Sequence, residues 1–239
     1  MVPHPGPVGG EQRTGGKSGA LRAAIFGVND GLVSNLSLIF GVAGAGVSNH
    51  VIVVAGVAGL LAGAASMAAG EYISMRVQRE AFERLIHLEA HELHAQPEAE
   101  REELTQIYVA RGISRDLAAR LADELMRDPA AALETHAREE LGLDPKQGLG
   151  SPWAAAGSSF LTFCFGAIVP LIPFLFASGT PAVVASGVAS GITLFAVGAG
   201  ISLVTGKPFY HSGLRMLFVG SLAAGITYGV GKALKVATG

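Results

Sequence analysis

Between Glu80 and Leu104 the chain reads EAFERLIHLEAHELHAQPEAEREEL, a stretch dense in the carboxylates and imidazoles that bind divalent cations. Glu89 and Glu92 are spaced i,i+3, as are Glu100 and Glu103, so each pair lies on one side of a helix. Pro97 separates the pairs and allows two helices to fold back on each other. Four carboxylates brought together this way repel one another unless a cation sits among them. Oxygen ligands with some imidazole suit Fe2+, Mn2+ and related divalent ions. A solvated helix face explains the same spacing, and spacing alone leaves both readings open.

His87, His91 and His94 add three imidazoles within eight residues, with His87 and His91 at the i,i+4 spacing that can hold one transition metal. His136 and Glu140, again i,i+4 in THAREELGL, offer either a contribution from a further helix or an ordinary exposed helix end. Asp30 is of another kind. It lies in IFGVNDGLVSNLSLIFG, inside an apolar run, where an ionisable group marks a functional position because its desolvation is costly without a cavity or partner. Met67 in ASMAAGEY reads by itself as core or lipid-facing filling, and Glu71 follows at the end of the same run.

The elements that carry these residues follow from where charge is missing. Of 239 residues 15% are charged, against about 25% in an average soluble domain, and the mean hydropathy is +0.44. No Asp, Glu, Lys or Arg occurs between Asp30 and Glu71, nor in the sixty residues between Lys146 and Lys207. A membrane helix needs about 20 apolar residues, so each run holds two, turning at GVSNH and at ASGTP. A further uncharged stretch, Met216–Gly231, spans if it borrows Phe209–Arg215, with His211 and Arg215 reaching to the interface. The expected class is an all-α membrane protein with five transmembrane helices. Pro170 and Pro173 predict a kink in the third. Glycines four apart, at Gly59/Gly63, Gly187/Gly191 and Gly225/Gly229, fit close helix packing.

The segment between the second and third spans differs in kind. Residues 79–146 hold 16 of the 19 acidic residues and nine of the 17 basic ones. Glu71–Leu93 contains no Gly or Pro, which predicts one helix running out of the membrane. Pro97 opens the next, Arg111–Ser114 is a Gly stop followed by a Ser cap, Asp128-Pro129 is another boundary, and Gly142 ends the last helix. A small helical bundle is expected. Basic residues flank the N-terminus (Arg13, Lys17, Arg22), the end of the second span (Arg76, Arg79, Arg84) and the fourth-to-fifth connection (Lys207, Arg215), which puts the N-terminus and the bundle in the cytoplasm. The partition is 1–20 a Gly/Pro-rich disordered tail, 21–78 two spans, 79–146 the bundle and 150–239 three spans. Cys164, the single cysteine, excludes an intrachain disulfide.

Taken in order, GVNDGLVSN, GLLAGAASMAAGEYIS, the Glu-rich continuation and THAREELGLDP resemble the vacuolar iron transporter family from about Leu21 onward. The resemblance implies a homodimer of five-helix subunits, each with a cytoplasmic metal-binding domain between helices 2 and 3, moving Fe2+ and other divalent metals out of the cytosol in exchange for protons. It implies that Asp30 and Met67 line the translocation path and that Glu89, Glu92, Glu100, Glu103 and Glu140 belong to the metal-binding domain. His136 stands where plant-type members carry a methionine, and His87, His91 and His94 have no counterpart. Imidazole suits zinc, copper and nickel as well as iron, and Mn2+, Co2+ and Zn2+ are further expected substrates.

The expected function is therefore divalent-metal export by proton antiport, with Asp30 alternating between metal-bound carboxylate and protonated acid. Two other classes compete. A di-iron membrane enzyme uses Glu-x-x-His on two helices, and no Glu here is followed three residues later by His. A membrane-anchored metal buffer or sensor accounts for the bundle but gives Asp30 no role. Protons, divalent metal, the bilayer and a second copy are the expected partners, with no enzyme activity, resident cofactor or nucleic acid. The Ala/Gly/Arg-rich composition favours a bacterial inner membrane over a vacuolar one.

Overall fold

The computed structural model describes residues 16–144, 150–206 and 208–238. It is helical throughout these: α1 Gly16–Gly44, α2 Asn49–Ala95, α3 Pro97–Ala110, α4 Arg115–Leu125, α5 Pro129–Glu139, α6 Pro152–Ile168, α7 Ile172–Phe176, α8 Gly179–Thr205 and α9 Phe209–Thr238. The tail expectation falls mostly on residues outside those described. Gly16–Ala20 already belong to α1, since no proline separates them from the span and extending an existing helix costs little.

The chain forms two compact units, one centred on Ser74–Ser151 and the other joining Ala20–Ile73 to Pro152–Gly239. Among the described residues four helices are long and apolar enough to cross a membrane: Ala24–Gly44 within α1, α2, Gly179–Ser202 within α8 and Phe209–Lys235 within α9. The stretch expected as the third span is interrupted. α6 has 17 residues, about 25 Å at 1.5 Å per residue, short of a hydrocarbon core of about 30 Å. Pro170 and Pro173 cannot donate, so the chain tightens through Val169 N–H to Gly166 O (3.3 Å), Leu171 N–H to Ile168 O (3.0 Å) and Phe174 N–H to Leu171 O (3.1 Å).

Carbonyls freed by such a break are costly in apolar surroundings unless neighbours satisfy them. Three side chains do so. Asn35 Nδ2 of α1 donates to Ala167 O at 2.7 Å, Ser186 Oγ of α8 to Pro170 O at 2.7 Å, and Asn49 Nδ2 at the start of α2 to Phe174 O at 2.9 Å. Around the break, Ile39, Ile52, Leu171, Phe174 and Ala182 form a buried cluster, and Ala64, Phe163 and Ala167 form a second one between α2 and α6. Ser186→Ala is expected to destabilise this unit by about 1 kcal/mol, because Pro170 O is left unpaired. Ser190→Ala, which removes a buried hydroxyl without a hydrogen-bond partner, should cost nothing. Heat tolerance of the two variants in detergent checks this, and equal losses would deny Ser186 its role.

Candidate metal centre

Within the Ser74–Ser151 unit, local sequence sets where each acidic side chain goes. α2 runs unbroken to Ala95, as its lack of Gly and Pro requires. Gln96 leaves the helical region (φ −139°, ψ 52°) while its N–H still bonds Glu92 O at 2.8 Å, and Pro97 opens α3. Glu98 and Glu100 occupy the first turn of α3, where the helix dipole favours negative charge. Gly112, at φ +92°, makes the turn into α4 that a residue with a Cβ resists. Asp128 caps α5 by accepting from Ala130 N–H at 3.0 Å. Beyond α5, Gly142 adopts φ +67° and Leu143 N–H reaches back to Ala137 O at 2.7 Å, fixing the turn that carries Glu140.

Three of these elements converge. Glu89 from α2, Glu100 from α3, and His136 and Glu140 from α5 and its cap each present one ligand atom, and those atoms lie within 4.8 Å of one another. His136 is fully buried, Glu89 is 1% exposed and Glu100 7%. His136 Nδ1 lies 3.1 Å from Glu89 Oε1, 3.6 Å from Glu100 Oε2 and 3.7 Å from Glu140 Oε2. Attraction brings these groups together, yet neither His136 nitrogen nor Glu89 Oε1 has a partner at hydrogen-bonding angles. Buried polar atoms in that condition are rare, and once its protons are displaced the group offers three carboxylates and an imidazole nitrogen to one shared cation.

The acids on the outside of the bundle are treated differently. Arg101 pairs with Asp123 at 3.1 Å, Arg115 with Glu102 at 2.6 Å, Arg138 with Glu134 at 2.9 Å and Asp144 at 3.1 Å, and Arg111 with Glu139. Among the described residues neither Glu89 nor Glu100 has an arginine or lysine partner; both face His136.

That enclosure shifts proton affinities. Burial, followed by the negative charge of Glu89, pushes Glu100 up to about 7 against the pull of His136; Glu103 and Glu140 add to the rise. Burial works to lower His136, but the carboxylates of Glu140 and Glu89 close to its ring, with the charge of Glu100, take it up to about 9. Both groups therefore bind protons more tightly folded than unfolded. Glu100's contribution to stability is full below its ordinary 4.5 and is lost as pH rises through 7; that of His136 is full below 6.5 and is lost through 9. The metal-free bundle is expected to unfold more readily as pH rises from 5 to 9, by up to about 1.4 kcal/mol per pH unit for each group inside its window. Bound Mn2+ should cancel the slope. Denaturant unfolding at four pH values measures it, and stability rising with pH would contradict this electrostatic assignment.

The remaining expected residues lie elsewhere. Glu92 and Glu103 are half-buried and outside the four-residue group; Glu103 is near enough to raise Glu100. His87, His91 and His94 are exposed along α2 and do not join it. Asp30, Met67 and Glu71 belong to the other unit. Asp30 is exposed on α1, Met67 packs half-buried against Ala64, Phe163 and Ala167, and Glu71 is half-buried. Among the described residues no second group of three such ligand side chains forms. Sequence reasoning passed over Asn49 and Ser186, polar residues inside apolar runs, which is the signal that marked them.

The chain has membrane-length helices and, within the Ser74–Ser151 unit, a buried Glu3His cluster, and it also matches a family model. The model of the VIT family covers residues 21–232. The chain belongs to the VIT family. It is similar to vacuolar iron transporter 1 of Arabidopsis thaliana, 32% identical over 219 residues covering 90% of this chain and 86% of the relative. A vacuolar iron transporter of Acanthamoeba castellanii is 36% identical over 225 residues, covering 90% and 79%. One of Toxoplasma gondii is 30% identical over 238 residues, covering 96% and 79%. As a VIT-family member with four apolar membrane-length helices, the chain is an integral membrane protein.

Proposed function

We propose that this protein exports Fe2+ from the cytosol in exchange for protons, and that Mn2+, Co2+ and Zn2+ share the path. The observation that carries the reading is the buried cluster of Glu89, Glu100, His136 and Glu140, in a chain similar to proteins named vacuolar iron transporters. Three of the cluster's four side chains are buried, which is more than a solvated acidic surface requires. Captured metal passes to a path through the membrane unit, where Asp30 supplies a hard oxygen ligand and Met67 a soft sulfur. Asp30 is exposed on the isolated protomer inside a candidate span, a costly position that a homodimer with its path along the subunit interface relieves. α6 and α7 together complete a five-span topology, with the N-terminus and the Ser74–Ser151 bundle cytoplasmic and the protein in a bacterial inner membrane.

Reconstituted flux tests this. Proteoliposomes of known orientation are offered Fe2+, Mn2+, Co2+ and Zn2+ separately, with and without a proton gradient. Gradient-driven uptake that falls at least about tenfold in Asp30→Ala, from loss of a ligand at membrane depth, is the expected result. Metal binding without uptake by the wild type would leave a membrane-anchored buffer. Asp30→Asn with unchanged proton coupling would remove Asp30 from the exchange step.

A further inference from the structure

At the start of α9 lies a basic face outside the metal centre. Pro208, His211, Ser212 and Arg215 line a cavity of about 340 Å3. His211 and Arg215 are exposed, one helical turn apart on the same side of α9. Continuing along that side at helical spacing come Phe218 (68% exposed), Leu222 (52%) and Ile226 (58%). A stripe of large apolar side chains left bare on a membrane-spanning helix is a lipid-facing surface. Arg215 therefore sits at the rim of the lipid-facing surface and not in a core. Phe209 and Tyr210, also exposed, place aromatic rings at the same end, as spans do at the headgroup level.

The charge there has few acids within its own unit. No Asp or Glu follows Asp144, and within the Ala20–Ile73 and Pro152–Gly239 unit the only carboxylate side chains are Asp30 and Glu71. Among the described residues Arg215 takes part in no ion pair. A guanidinium at the edge of a hydrocarbon layer needs an anion, and the abundant anion at that depth is a phosphodiester, whose oxygens match the paired N–H groups of arginine.

We propose that the His211–Arg215 face binds the phosphate of an anionic phospholipid, whose acyl chains lie along Phe218, Leu222 and Ile226. From Arg215 to Ile226 is about 16 Å along the helix, so one lipid spans headgroup contact and apolar stripe together. A zwitterionic lipid carries its own cation beside the phosphate and gains less. This site is independent of the metal centre and of the direction of transport.

The test uses delipidated full-length protein in detergent, offered phosphatidylglycerol or phosphatidylcholine with identical acyl chains, with bound lipid counted by native mass spectrometry. Wild type is expected to retain phosphatidylglycerol about five- to tenfold better. Arg215→Gln should lose most of that preference, while Lys235→Gln, at the far end of α9, should keep it. Where Arg215→Gln does not fold, His211→Gln combined with Arg215→Lys serves, and it is expected to lose at least half of the preference. An undiminished preference in these variants overturns the proposal. So does inorganic phosphate binding with the same dependence on Arg215 while phosphatidylglycerol does not bind, which would make this a free-phosphate site. A dimer that dissociates in Arg215→Gln, with lipid retention unchanged, would assign the face to a second copy of the chain and likewise overturn it.

Discussion

His136→Ala is expected to weaken Zn2+ and Co2+ binding by the full-length protein by about 100-fold or more, and Mn2+ binding by less. The centre offers three carboxylates and one imidazole. Oxygen ligands alone serve Mn2+ well, whereas Zn2+ and Co2+ gain more from nitrogen. Loss of a single metal ligand is at least as damaging as loss of a residue behind one, which costs about 10- to 100-fold.

The same variant changes the pH dependence in a way that an indirect structural effect would not. In wild type, metal entry must displace a proton from His136 below pH about 9 and another from Glu100 below about 7. Affinity should therefore rise with pH, by about tenfold per unit between 7 and 9 and more steeply below 7. Without His136 the slope between 7 and 9 loses its source. Glu100 also loses the neighbouring cation that lowers it, so its titration moves above 7. Calorimetry with Mn2+ and Zn2+ between pH 6 and 8.5 resolves both changes. Equal losses for the two metals, with an unaltered pH slope, would mean that His136 only supports the fold.

How much of this was readable beforehand depends on the kind of signal. Missing charge located the apolar helices, because a charge in a bilayer is excluded by desolvation whatever the tertiary structure. Pro97, Asp128 and Gly142 marked bundle boundaries through backbone chemistry, which is local. Which acids point inward is not local. Glu89 and Glu92 sit about 60° apart around α2, and only the placement of α3 and α5 decides that Glu89 is buried while Glu92 stays at the rim. His87, His91 and His94 looked the stronger imidazole signal by density, yet they lie on the exposed side. His136, isolated in sequence and equally readable as a helix end, is the fully buried one. Its i,i+4 spacing to Glu140 had left both readings open, and the resemblance set it where plant-type members carry a methionine. The break at Pro170 was legible from the prolines; the donors that make it tolerable came from three separate helices and were not.

Glycine spacing marked close packing at one pair and not at another: a Cβ on Gly59 would lie 2.3 Å from Leu38 Cδ2 and one on Gly63 2.2 Å from Phe163 Cζ. Gly225 and Gly229, four apart on α9, have nothing near a Cβ built at either position. The closest approaches to backbone join α1 to α9, where a Cβ on Gly231 would lie 1.9 Å from Gly41 O, and α1 to α6. A Cβ on Gly166 would lie 2.0 Å from Val28 O and 2.9 Å from Leu32 N, and one on Gly31 would lie 2.2 Å from Phe163 O. These neighbours are backbone atoms, which cannot rotate aside, so Gly166→Ala forces the two helices apart. The cost should reach about 3 kcal/mol, the upper end for overpacking. Gly157→Ala is the control on the same helix, because its Cβ meets nothing within 4 Å; there alanine's better helix propensity should stabilise by up to about 1 kcal/mol. Since α1 carries Asp30 beside Gly31, separating α1 from α6 should also abolish transport, while Mn2+ affinity, which depends on the Ser74–Ser151 unit, stays at the wild-type value. Heat tolerance in detergent, Mn2+ calorimetry and flux on the two variants test the chain of reasoning at each link. If Gly166→Ala tolerated heat as well as Gly157→Ala, the close crossing of α1 and α6 would be wrong. If it lost stability and kept full transport, the position of α1 would not govern the path.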